Sequence, residues 1–322
     1  YLPDQKVIAF AKSVTMTPQQ MKDPLHMHVD SNLAFNEPGD RYTLDGFGLT
    51  DPIETFDDFG DTGANEPLSK HRRIGTFVTY EDNRPIKGAR EAAEQLVDPA
   101  NPVTKALRGG MMRRRTKTIL AGILGPQTEV SADGSYSTVT LPAAQKVAYN
   151  YNKLTKGAAD GEAAPTAVQG LTIPKLRRAK VILSNGEYED EEDSIPNIAV
   201  TQEDLEFLFT SAEFSAERHV VNQIGRLRDG ETEEALGFRF IKVKPSAFTR
   251  AGLAVPGETD RWYLPVWFKN GVKYKERPLN ATKIWQREEK KFRWWAWYEN
   301  QDSCVREYDA AVAQIDVLRN YA

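Results

Sequence analysis

Hydrophobic and polar positions change period several times along the chain, and the longest coherent stretch is bracketed by prolines. Residues 102–124 open behind Asn101-Pro102 and close at Gly125-Pro126. Asn101 can cap a helix with its side-chain oxygen, and Pro102 at the first helical position lacks only an N–H that would have had no partner. Gly125 tolerates the left-handed conformation that ends many helices, and Pro126 cannot extend one. The pattern predicts a single helix, roughly 35 Å long at about 1.5 Å per residue. Its middle carries Arg113, Arg114, Arg115 and Lys117 around several faces, and its last turns carry Ile119, Leu120, Ile123 and Leu124. A one-sided surface helix would segregate these residues. This one reads as a rod laid across a sheet, its basic flank turned to solvent, to another subunit or to a polyanion.

Upstream, strand-like alternation replaces the helical period. Residues 42–49 and 74–80 are rich in β-formers and predict the limbs of a long hairpin over residues 41–86. Between the limbs lie Asp57, Asp58, Asp61 and Glu66 among turn residues, followed by Lys70, His71, Arg72 and Arg73. One side of the tip is therefore acidic and the other basic. With so few large apolar residues the hairpin cannot bury enough surface to stand alone, and a second copy of the chain is the expected support. Residues 1–40 keep no period and suit an arm ordered by its neighbours.

Downstream the reading is a mixed body of helices and strands. A short helix is expected at 88–97, then strands at 136–141 and 147–149 and a small-residue loop at 157–170. A helix follows at 174–183 with Lys175, Arg177, Arg178 and Lys180 among its apolar positions. Ile198-Ala199-Val200 forms a buried strand. Thr201 with Asp204 makes a variant capping box for a helix through 209, and another helix is expected at 216–224. Residues 237–243 and 261–268 alternate as strands. At the end, residues 291–298 lead to a polar turn at Glu299-Asn300-Gln301-Asp302, answered by a strand at 310–317. That final hairpin is the expected seat of the rod, and the fold class is α+β.

Composition narrows the functions. The chain has 322 residues, enough for two or three compact regions. A net charge of −4 argues against bulk attraction to nucleic acid or anionic membrane, so such contact must be local. Cys304 is the only cysteine, which excludes an intrachain disulfide and cysteine-based metal sites. No eighteen-residue apolar run occurs, and no basic segment with an apolar core follows Tyr1. Folding inside a cell without a membrane partner is the expectation.

Catalytic constellations are missing. There is no phosphate loop, GxSxG or HExxH, and Gly46-Phe47-Gly48 lacks the third glycine of a dinucleotide turn. His26 and His28 could face one side of a strand, but no carboxylate pattern accompanies them. The acids at 187–193 read as a solvated loop rather than a calcium site. Aromatics at 292–298 fall on both faces and favour core packing over base stacking. Arg113, Arg114, Arg115 and Lys117 are the candidates for lumen, DNA or intersubunit contact. No catalytic residue, cofactor or metal is expected, and the chain reads as a non-enzyme.

Order and spacing carry a resemblance. From Leu96-Val97-Asp98-Pro99, through Gly170-Leu171-Thr172-Ile173-Pro174-Lys175, Ile198-Ala199-Val200-Thr201-Gln202 and Leu236-Gly237-Phe238-Arg239-Phe240-Ile241 to Arg306-Glu307, the chain resembles the major capsid proteins of tailed bacteriophages with the Hong Kong 97-type fold, podovirus-like branch. The resemblance implies an N-terminal arm at 1–40, an extended loop at 41–86, and a peripheral domain with a spine helix at 87–140. An axial domain at 141–270 and closing strands at 271–322 complete it. Implied too is a virion protein, assembled in the host cytoplasm into pentamers and hexamers of an icosahedral head that matures around double-stranded DNA. Portal, scaffolding and decoration proteins would be partners beside the chain itself. An encapsulin-like cargo shell of the same fold is the alternative. Asp57, Asp58, Asp61, Glu66, Lys70, Arg72 and Arg73 become candidates for intersubunit contact. Some relatives link a loop lysine to a neighbour's asparagine, but nothing here marks a partner for Lys70.

Overall fold

The computed structural model describes residues 25–36, 38–47, 70–87, 100–131, 134–151, 170–186, 195–210, 233–254, 261–287, 289 and 293–319. Most of the arm, the hairpin tip, the expected helices at 88–97 and 216–224, and the acidic run at 187–193 lie outside them. Within them, strands form two four-stranded sheets and one six-stranded sheet around a single long helix.

That helix, α1 (Ala100–Leu124), has 25 residues and is about 38 Å long. Its last turns enter the main core, where Ile119, Leu120 and Ile123 are wholly enclosed. Each such side chain contributes about 1.5–3 kcal/mol. Gly125 ends the helix, as expected, but with ordinary φ rather than in the left-handed region. Side chains cap the terminal carbonyls instead: Gln127 Nε2 donates to Gly122 O at 2.8 Å, and Arg306 Nη1 donates to Ile123 O at 2.7 Å.

One four-stranded sheet has the order β1 (Asp30–Asn32), β12 (Val272–Arg287), β13 (Arg293–Arg306), β4 (Val78–Lys87). Here the structure corrects the closing hairpin. β13 runs straight through the expected turn at 299–302, and its antiparallel partner is the preceding β12. The polar residues there do not face water. Asn300 and Asp302 are buried against α1, so their polarity serves helix–sheet packing rather than a turn.

The second sheet is β2 (Arg41–Phe47), β3 (Lys70–Thr76), β5 (Gln127–Val130), β6 (Tyr136–Val139). The two predicted limbs pair from Arg41 opposite Thr76 to Phe47 opposite Lys70. The second limb is not one strand, however. It breaks at Phe77 and continues as β4 in the other sheet. Phe77, Phe35, Tyr42 and Val305 form a buried cluster at the break. The base of the hairpin thus finds support in its own chain, through β5 and through this aromatic cluster, where a second copy was expected.

The six-stranded sheet has the order β7 (Lys146–Val147), β14 (Val312–Leu318), β11 (Arg261–Trp267), β8 (Asn197–Val200), β10 (Phe238–Lys242), β9 (Glu234–Ala235). β14 lies antiparallel to β11 over its whole length, so the last strand joins this sheet and not β13. Helices α2 (Ile173–Asn185), α3 (Gln202–Thr210) and α4 (Pro245–Ala251) accompany it. The capping box forms: Thr201 N and Oγ1 donate to Asp204 Oδ2 at 2.9 and 2.8 Å. Lys175, read as one of the basic positions of α2, is completely buried.

Candidate functional site: the spine helix and the strand beneath it

α1 and β13 run in the same direction, and alternate strand residues meet successive helical turns. Tyr298 is buried with Leu107. Asn300 Nδ2 lies 3.8 Å from the Met111 sulfur. Asp302 accepts from Thr118 Oγ1 at 2.7 Å and from Arg114 Nη2 at 3.3 Å. Cys304 donates weakly to Ile119 O at 3.8 Å and lies beneath Gly122. Arg306 closes the ladder on the carbonyls of Ile123 and Gly125. Two strand residues advance about 6.6 Å and four helical residues about 6 Å, so contacts spaced two apart on the strand and about four apart on the helix stay in step.

Position 122 has to be glycine for that approach. A Cβ there would lie 2.5 Å from Cys304 Cβ and 2.7 Å from the Cys304 carbonyl oxygen. A backbone oxygen cannot swing aside as a flexible side chain can.

The basic run of the helix divides. Arg115 turns inward, its guanidinium 2.6 Å from Glu276 of β12, with both side chains nearly enclosed. Glu276 also accepts from Asn300 Nδ2 at 2.5 Å and from Tyr274 OH at 3.2 Å. Arg114 is half-buried, bonded to Asp302 and set 5.1 Å from the centre of the Tyr80 ring. Arg113 is half-buried near Arg250 of α4, whose guanidinium is held below its usual range by burial and then by this second cation. Lys117 is half-buried and lines a groove of about 370 Å³ with Ile74, Val78, Gly122, Cys304 and Val305. The outward role expected of the run therefore does not suit Arg115, because a buried carboxylate holds it inside the chain.

The hairpin candidates divide in the same way. Asp57, Asp58, Asp61 and Glu66 lie outside the described residues. Lys70 begins β3 opposite Phe47. Arg72 pairs with Asp45 across the β2–β3 ladder at 2.5 Å, both half exposed, a surface pair of little energetic weight. Arg73 was expected to reach a neighbour but is buried: its guanidinium donates to Asp309 at 2.8 and 3.1 Å and to Arg306 O at 2.7 Å. Asp309 also accepts from Arg306 Nε at 2.6 Å, so one carboxylate joins two enclosed guanidiniums.

Burial governs the titration of these groups. It pushes the Asp302 carboxyl up, against the pull of Thr118, Arg114 and Arg115. It pushes the Tyr80 and Tyr274 hydroxyls and the Cys304 thiol well above their ordinary values. For Asp309 burial also acts upward, but the bonds from Arg73 and Arg306 outweigh it and hold the carboxyl below its usual range.

His26–His28 is a single 3-10 turn rather than a strand, and no three metal-ligating side chains cluster among the described residues. No helix among them is long and apolar enough to cross a membrane. Sequence reasoning missed Glu276, Asn300, Asp302 and Asp309. The signal available was the period-two spacing of Tyr298, Asn300, Asp302, Cys304 and Arg306.

This arrangement, a long helix laddered to a strand pair and sharing its core with a six-stranded sheet, has counterparts among solved structures. The capsid of Ralstonia phage GP4 is similar over 95% of this chain and 94% of its own, with a TM-score of 0.66 at 12% identity. The Cyanophage Pam1 capsid matches over 97% and 96%, with a TM-score of 0.67 at 11% identity. The head of Helicobacter pylori bacteriophage KHP40 matches over 97% and 95%, with a TM-score of 0.65 at 9% identity. At such identities the likeness is one of fold. No curated protein sequence matches the chain. Residues 2–317 match the model of the phage capsid protein family. The ladder, the α+β architecture and a family match over nearly the whole length lead to one conclusion: the chain belongs to the phage capsid protein family and is a structural component of the virion.

Proposed function

We propose that this chain is the major subunit of a tailed-phage head, assembling as pentamers and hexamers into an icosahedral shell around double-stranded DNA. The observation that carries the reading is a matched pair of charges. Residues 48–69 contain Asp51, Glu54, Asp57, Asp58, Asp61 and Glu66 and no Lys or Arg. Helix α1 contains Lys105, Arg108, Arg113, Arg114, Arg115 and Lys117 and no acid. With Arg115 and Arg114 engaged by β12 and β13, the exposed Arg108 and the half-buried Lys117 leave the outer flank basic. The acidic sequence 48–69 is the complement that this flank would take from a neighbouring copy, with the exposed Val78 beside Lys117 offering an apolar contact. Contacts of this modest kind, repeated by symmetry, hold a closed shell. Portal, scaffolding and decoration proteins bind the assembled lattice, and packaged DNA meets it without sequence preference.

Cryo-EM of the purified, expressed chain tests this, with shells or capsomers as the expected particles. Reversing Asp57 and Asp58 to Lys lowers shell yield, and adding Lys117→Glu in the same chain restores part of it. A strictly monomeric species that never assembles would overturn the reading.

A further inference from the structure

Strand β6 is an edge of its sheet, and Tyr136, Ser137 and Thr138 are all exposed. The hairpin it makes with β5 fixes which of its main-chain groups are spoken for. Ser131 N donates to Ser135 O at 2.9 Å and Gly134 N donates to Ser131 O at 2.9 Å, with Gly134 at φ 81°. This is a turn closed by a glycine bulge. Beyond it hydrogen-bonded and non-hydrogen-bonded pairs alternate. Tyr136 opposite Val130 and Thr138 opposite Thr128 are therefore non-hydrogen-bonded, whereas Ser137 and Val139 bond to β5. The main-chain N–H and C=O groups of Tyr136 and Thr138 point away from the sheet.

An open row of such groups is a template for another strand, and proteins blunt it with short length, charge or proline. Every other sheet edge among the described residues is blunted in this way. β7 and β9 have two residues each and β1 has three. β4 carries Glu81, Asp82, Arg84 and Pro85, and β2 carries Arg41 and Asp45. β6 carries no charge and no proline, and Tyr136 is 65% exposed.

We infer that β6 pairs antiparallel with β6 of a second copy across a two-fold axis at Ser137, an inference that rests on the shell reading above. In that register the strand is its own complement. Tyr136 lies opposite Thr138 of the second copy and Thr138 opposite its Tyr136, so about four main-chain hydrogen bonds form. Each pair sets an aromatic ring against a β-branched side chain, a favourable cross-strand neighbour. No charge meets its like at the axis. Glu129, opposite Ser137 on β5, lies three strand spacings from its counterpart, about 14 Å, beyond the screening length of about 8–10 Å. A two-fold contact joins one copy to one other, so it links capsomers to each other rather than building the rings.

Ser137→Cys in the full chain tests the pairing. Residues opposite each other at a non-hydrogen-bonded site have Cα atoms about 4.5 Å apart, within disulfide reach. The one natural thiol, Cys304, lies beneath Gly122. Oxidised glutathione added to assembled particles is expected to convert most of the Ser137→Cys subunit to covalent dimers on a non-reducing gel. Monomers retained in well-formed particles overturn the inference and leave the shell reading standing. A wild type that forms no particles overturns both. Thr138→Pro removes an outward N–H while Ser137 and Val139 keep their bonds to β5, as proline on a sheet edge allows. Each contact loses two of its four bonds and weakens about 30-fold, so capsomers accumulate in place of shells. An unchanged shell yield overturns the inference. Should Thr138→Pro fail to fold, the thiol result decides alone.

Discussion

Arg115 and Glu276 meet 2.6 Å apart beneath the spine helix, one from α1 and the other from β12, with both side chains nearly closed off from solvent. The carboxylate is fully committed, since Asn300 and Tyr274 take up its remaining capacity. Removing one member of such a pair strands the other charge. Arg115→Met therefore costs about 3–5 kcal/mol, whereas Arg115→Met with Glu276→Met recovers much of it. Urea unfolding of unassembled subunits measures both, and a double variant no more stable than the single would refute the account.

The Gly122 approach to β13 predicts a steric rather than an electrostatic failure. A Cβ at 122 meets the Cys304 backbone oxygen at 2.7 Å, so truncating Cys304 does not relieve Gly122→Ala. The helix must lift off the strand, at about 1–3 kcal/mol or more, through loss of a close-packed contact. Expected are a lower unfolding midpoint for Gly122→Ala and no rescue by Cys304→Ala. Rescue would place the constraint on the side chain instead.

Local chemistry made several elements legible. Gly125-Pro126 closes α1 as expected, Asn101 and Pro102 fall within its first turn rather than before it because the helix begins at Ala100, and Thr201 with Asp204 marks the start of α3. What was not legible were pairings that depend on distant chain. Residues 299–302 look like a turn because polar residues cluster there, yet Asp302 accepts from Arg114 and Thr118 of α1, nearly two hundred residues upstream, and Asn300 donates to Glu276 of β12. Arg73 and Arg115 look like surface cations for the same reason: their carboxylates, Asp309 and Glu276, lie far along the sequence. Burial of charge is a tertiary property, and composition along a window cannot reveal it. The break at Phe77 was hidden similarly, because its aromatic partners are Phe35, from before the hairpin, and Tyr42, from the opposite limb.

The capping box at α3 separates two roles in one carboxylate. Thr201→Ala removes a cap alone and costs about 1 kcal/mol. Asp204→Ala removes the cap and also leaves the Arg319 guanidinium, nearly enclosed, without its carboxylate. That second loss belongs with broken buried pairs, at about 3–5 kcal/mol. Thermal unfolding of the two variants should show a clearly larger shift for Asp204→Ala. Equal shifts would mean that Arg319 is solvated or paired elsewhere.

Asp309 fixes the acid limit of the joint between hairpin and spine. It bridges Arg73 of β3 and Arg306, whose other contacts are the last carbonyls of α1. Because Arg73 and Arg306 hold it below the ordinary carboxylate range, its stabilisation is fully present above about pH 4 and fades as pH falls through the lower folded value. Protonation would leave two buried guanidiniums facing each other, so the hairpin base should detach from the spine's end. Asp309→Asn imitates that state at every pH. It is expected to lower stability at pH 7 by about 3–5 kcal/mol and to flatten the loss that the wild type shows below about pH 4. Urea titrations across this range check both outcomes. An unchanged acid limb in Asp309→Asn would assign acid sensitivity to other carboxylates.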